Sequence, residues 1–147
     1  MATMAARLVK MIEANADRFS RELLESVLSA ERSKEMGRID SAQLLQRAKE
    51  IYGDLGAWLL NRTEADVEQR YRKVGADLAA AGIPASHWVW SLSLGRQQLW
   101  RFLGSEAFPE GAFEVFGQLE LVQTLDQFFD RAVYYVIASY EAARQKA

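Results

Sequence analysis

The chain has no cysteine, one histidine and only two prolines in 147 residues. Without Cys there is no disulfide, no thiolate metal ligand and no thiol nucleophile. A single imidazole removes multi-histidine metal clusters and two-His zinc motifs, so no metal or cofactor is expected. Charge of one sign is also missing, since 18 Lys and Arg face 20 Asp and Glu for a net charge of -2. Nucleic acid is not expected as a partner, because phosphate binding needs a concentrated positive patch. No apolar run approaches the roughly 18 residues of a membrane span. The N-terminal stretch MATMAARLVKMIEANADRF is interrupted by Glu13, Asp17 and Arg18. It reads as no export signal, and a cytoplasmic location is the default expectation. Repeats and low-complexity tracts are absent as well.

Half of the residues are apolar, and the length suits a single domain over 1–147 with one core. Helical periodicity runs nearly end to end, which predicts an all-α fold of about five main helices. The first, over about 3–30, lines up Leu8, Ile12, Phe19, Leu23 and Val27, with Asn15 and Ser26 breaking the stripe. The polar stretch ERSKEMGRI around Gly37 reads as a loop. Asp40 or Ser41 caps a second helix to about residue 60. Its Leu44, Ala48, Ile51, Tyr52, Leu55, Trp58 and Leu59 fall within about 140°, with Gln46, Lys49, Glu50 and Asp54 opposite. Thr63 and Asp66 give a T-x-x-D cap for a third helix that buries Val67, Tyr71, Val74 and Leu78. Gly82 stops it, and Pro84 blocks simple continuation. Ser86 is the expected cap of a fourth helix closed by Gly104. The last and longest runs from about Pro109 or Gly111 to Arg144, with no breaker after Gly117.

The last two helices carry more apolar surface than one face can use. On the fourth, Trp88, Leu92, Leu99, Phe102 and Leu103 form the main stripe, while Trp90 and Leu94 point almost opposite, beside Gln97 and Arg101. Such a pair next to an arginine suits a protein interface, with a second core layer as the competing reading. On the fifth, Leu121, Val122, Leu125, Phe128, Phe129, Val133, Tyr135, Val136, Ile137 and Tyr140 cover roughly 200°, twice what a one-sided helix needs. That helix is expected to be central, or packed on both its own core and a partner.

Catalytic chemistry finds little support. There is no G-x-S-x-G, no phosphate-cradling glycine loop and no H-E-x-x-H. Most acids lie on polar faces, with Asp126 the exception at the edge of the last apolar sector. An enzyme is not expected. His87, in the first turn of the fourth helix, is the sole candidate for a histidine haem ligand, and otherwise reads as a surface or cap residue.

The segment VGADLAAAGIPASHWVWSLSLGRQQLW, residues 74–100, resembles the bacterial globin-like sensor superfamily. In that superfamily a helix ends at a Gly-hydrophobic-Pro turn before an aromatic-rich helix. More closely, residues 41–142 look like the non-haem globin sensor domain of RsbR/RsbRD-type stressosome regulators. The pattern rests on Arg72 or Lys73, Gly75, Leu78, the turn Gly82-Ile83-Pro84, the helix with Leu92, Leu94 and Arg96, and the C-terminal FFDRAVYYVIASYE. In haem-binding members a proximal His precedes the turn by about four residues; here Leu78 holds that place. The resemblance implies a globin-like fold without haem, with the vacated pocket filled or holding a small apolar ligand. Phe19, Tyr52, Leu55, Tyr71, Leu78 and Phe129, all on buried faces, are the candidate lining. It also implies a homodimer that signals through its terminal helices. Trp90, Leu94, Arg101, Val133 and Tyr140 are the candidate interface, and the helical AARQKA end points to an output domain or signalling partner. A haem sensor using His87 and a ligand-free helical adaptor are the alternatives.

Overall fold

A computed structural model describes residues 4–105 and 112–146, and among these it contains helices and short connections but no strand. The class is all-α and globin-like, as the periodicity and the resemblance predict. Helix α1 spans Met4–Ser29, and every residue of its expected stripe is buried. Of the two residues that interrupt it, Asn15 donates to the Met11 carbonyl at 2.8 Å, and Ser26 is exposed.

The expected loop around Gly37 is instead a 3-10 segment, Glu31–Arg38. Ser33 Oγ donates to the Val27 carbonyl at 2.7 Å, satisfying the end of α1, and Met36 enters the core. With two inward side chains in eight residues, the segment shows no period that patterning can detect.

Helix α2, Ser41–Asn61, begins as expected: Asp40 Oδ2 accepts the amides of Ala42 and Gln43 at 3.1 and 3.4 Å. It ends at Arg62, a non-glycine residue in the left-handed region (φ 51°). The Arg62 guanidinium, donating to Thr124 Oγ1 at 3.2 Å, helps to hold that costly backbone. Helix α3, Glu64–Ala81, has Thr63 at its cap position, but the hydroxyl makes no capping bond. The C-terminus of α3 is closed by a Schellman arrangement. Gly82, at φ 69°, donates to Ala79 O, and Ile83 N–H reaches back to Leu78 O at 3.0 Å, with both Leu78 and Ile83 in the core.

Helix α4 covers Ala85–Ser105, starting two residues earlier than a Ser86 cap allows and ending one residue beyond Gly104. Pro84 fixes the entry, and its carbonyl accepts His87 N–H at 3.1 Å, so no hydroxyl cap is needed. Helix α5 is Ala112–Gln145; its expected start at Pro109 or Gly111 lies outside the described residues. It touches all four other α-helices, which is why its apolar sector is so wide. Its main partner is α3. There Gly75 lies so close to α5 that an added Cβ would stand 2.3 Å from the Val136 carbonyl oxygen.

Candidate functional site

Helices α2 and α3 touch sparingly and leave a cleft of about 500 Å³ between them. Positions spaced by three and four along each helix supply its walls, among them Arg47 and Asp54 from α2 and Arg70 and Asp77 from α3; Tyr71 and Trp88 form an aromatic floor. Asp54 is the central group. Its carboxylate accepts the Tyr71 hydroxyl at 3.0 Å and pairs with Arg70 at 2.7 Å. Its side chain is only 13% exposed, and burial raises its pKa above the ordinary 3.8 although Tyr71 and Arg70 pull it down. Burial also pushes the Tyr71 phenol well above its ordinary value, reinforced by Asp54. Further along, Arg47 reaches across to Asp77 at 3.8 Å, and Lys73 meets the same carboxylate at 3.1 Å. The cleft is therefore fastened from both sides by charge-assisted contacts.

The six candidate pocket residues are all buried. Tyr71 opens on the α2–α3 cleft, and Phe19 lines a second groove of about 480 Å³ between α1 and α4. Tyr52 donates to Gln98 Oε1, whose amide nitrogen reaches Phe19 O and Glu22, each at 3.1 Å, so three helices are tied below that groove. Burial raises the Tyr52 phenol above its ordinary value, with the Glu22 charge adding to it. Leu55 and Leu78 lie within the core, at 0% and 1% exposure. Phe129 joins a run of rings: Trp88 to Tyr71 at 6.1 Å, Tyr71 to Phe128 at 5.8 Å, Phe128 to Phe129 at 5.5 Å.

The candidate interface residues fall in separate places. Trp90 is half-buried, with the Arg32 guanidinium 4.8 Å from its ring centre. Leu94 is partly buried against the core and, with exposed Arg101, borders the α1–α4 groove. Val133 and Tyr140 are half-buried on α5, Tyr140 at the Gly75 contact.

Asp126, the acid singled out from the sequence, is matched by Arg96, which also lies 4.0 Å from Asp130 and 5.5 Å from the Phe129 ring centre. The buried acid is Asp54, which patterning assigns to a polar face; only the partners on α3 reveal its burial. His87 is half-buried, and its Nδ1 accepts the Glu35 amide at 3.2 Å. Ser20, fully buried, has a hydroxyl without a hydrogen-bond partner among the described residues. Nothing in its sequence neighbourhood signals this. Among the described residues no group of acids or His is arranged to hold a metal ion.

The RsbT co-antagonist protein rsbRD N-terminal domain matches residues 13–147 of the chain. The crystal structure of the sporulation inhibitor pXO2-61 from Bacillus anthracis superposes with a TM-score of 0.75 at 17% identity, over 95% of this chain and 98% of that one. At that identity the likeness is one of fold. No curated protein matches by sequence.

Proposed function

This chain belongs to the family of RsbT co-antagonist protein RsbRD N-terminal domains, and we propose that it is a non-enzymatic, cytoplasmic input domain that acts as a homodimer. The family is one of stressosome-type regulators. In this reading one domain over 1–147 answers a small apolar ligand or a protein partner by repacking its helices. The change then passes along α5 towards an output domain or a signalling protein. The observation that carries the reading is the coupling of α3 to α5. The ring series from Trp88 through Tyr71 to Phe128 and Phe129 begins at the α2–α3 cleft. The backbone contact at Gly75 leaves α3 no slack against α5. A ligand that changes the spacing of α2 and α3 therefore displaces α5, provided it binds one spacing better than the other.

The dimer is assigned to Trp90, Leu94, Arg101, Val133 and Tyr140. The variant Trp90→Ala with Leu94→Ala is expected to weaken association at least tenfold, about 1.4 kcal/mol, while lowering the melting temperature by only a few degrees. Sedimentation equilibrium beside thermal melts measures both. A strictly monomeric wild type, or a large melting drop with unchanged association, removes these residues from the interface. Native mass spectrometry of the purified protein tests the ligand: a co-purifying apolar mass supports the pocket, and a bare chain favours the adaptor reading.

A further inference from the structure

The sole histidine holds together two parts of the chain that are 52 residues apart. His87 sits in the first turn of α4 with its backbone fixed: its N–H donates to Pro84 O, and its carbonyl accepts Ser91 Oγ at 2.8 Å. The ring therefore projects from a rigid base onto the 3-10 segment, where Nδ1 accepts the backbone amide of Glu35 at 3.2 Å. An Nδ1 that accepts carries no proton, so the neutral ring has its hydrogen on Nε2. Protonation would set an Nδ1–H against the Glu35 N–H, donor against donor, and the contact could not survive in its present geometry.

We propose that His87 is a proton-operated clasp: neutral, it holds the 3-10 segment on α4, and protonated, it releases the segment. The proposal is independent of the dimer and of any ligand. Below the clasp lies an apolar void of about 50 Å³, bordered by Met36 of the segment, Leu23, Leu24 and Val27 of α1, and Trp88 and Leu92 of α4. The charges around the ring come chiefly from the segment itself. Glu31 is engaged by Lys34 at 2.8 Å, and its pKa is lowered mainly by that lysine, with His87 contributing. Glu35 faces Arg38 at 3.9 Å. Arg38 also donates to Ala81 O and Gly82 O, each at 3.0 Å, which tethers the far end of the segment to α3. Arg32 lies over Trp90. Helix α2 adds Arg47 at the void, shared with Asp77 of α3, where α1 presents only apolar side chains. Helix α4 has no other ionisable residue before Arg96. With Arg38 and Met36 as anchors, release loosens the middle of the segment and leaves the bundle intact.

The test is amide exchange and proton–nitrogen NMR on the full chain through the titration of the imidazole. As His87 gains its proton, the Glu35 amide resonance should shift in step with the ring. Its exchange, corrected for the intrinsic pH dependence, should quicken about tenfold, the worth of one hydrogen bond, with α5 amides unchanged. In His87→Gln, whose side-chain oxygen accepts at any pH, that pH dependence should vanish. A wild-type Glu35 amide that ignores the ring's titration overturns the clasp, and so does a pH response that persists in His87→Gln. The wild-type titration alone decides the matter if the variant does not fold.

Discussion

Gly75→Ala is expected to destabilise the protein by about 3 kcal/mol, at the upper end of what overpacking costs. For a chain of this length that is a fall of roughly 10 °C in melting temperature. The added methyl would meet the Val136 carbonyl oxygen at 2.3 Å, and Ser139 Cβ and the Tyr140 amide nitrogen at 3.0 Å. Two of the three are backbone atoms of α5, so no rotamer change relieves the clash, and the two helices must separate. Intrinsic propensity pulls the other way, since Ala is favoured over Gly inside a helix by about 1 kcal/mol. Gly53→Ala measures that opposing effect alone. Gly53 is exposed in mid-α2, and a Cβ there meets nothing within 4 Å, so this variant should stabilise by roughly 0.5–1 kcal/mol. Gly95 lies between these cases, because its Cβ would press a movable Leu23 methyl at 3.2 Å. Denaturant melts of the Gly75 and Gly53 variants should give opposite signs. A stabilising Gly75→Ala would mean that α3 and α5 are not in backbone contact, and the proposed transmission through them would lose its basis.

The contrast between these glycines also marks how far the sequence is legible. Helix existence and facing follow from apolar spacing, so the stripes of α1 and α4, and that of α2 except half-buried Ile51, lie buried where the periodicity places them. Capping chemistry is local, and the sequence shows it at Asp40 and Gly82. Ser86 does not cap α4, because Pro84 already starts the helix. What requires a partner from elsewhere in the chain does not appear in a single helix's pattern. Asp54 reads as solvent-facing until α3 lays Tyr71 and Arg70 against it. Nothing on α3 itself requires a glycine at position 75; the Val136 carbonyl of α5 does. The 3-10 segment is polar in composition yet ordered by contacts to Val27, Ala81, Gly82 and His87, all outside it. Likewise, spacing puts Trp90 and Leu94 on one face of α4, and only the folded chain shows that Arg32 lies over the first while the second borders the α1–α4 groove.

Truncating Tyr71 should be at least as damaging as crowding Gly75. Tyr71→Ala removes a ring that is 2% exposed and packed on Trp88 and Phe128, a loss of about 3–5 kcal/mol. Tyr71→Phe separates the hydroxyl from the ring: it keeps the aromatic contacts and deletes the 3.0 Å bond to Asp54, for about 1–3 kcal/mol near neutral pH. The size of that second effect should depend on pH, with a sign set by Asp54. Burial raises the Asp54 pKa above 3.8, so between that value and the folded one the native state holds more protons than the unfolded chain. Stability from this group is therefore complete below 3.8 and is lost as pH rises through the folded pKa. The Tyr71 hydroxyl lowers that pKa, so its removal raises it further and widens the window. The deficit of Tyr71→Phe should accordingly be smaller at about pH 4 than at about pH 7. In an Asp54→Asn background, where position 54 no longer titrates, the difference between the two pH values should disappear. Urea denaturation of the four proteins at both pH values gives the answer. A deficit that is larger on the acid side, or that keeps its pH dependence without Asp54, would show that this carboxylate does not govern the α2–α3 seam.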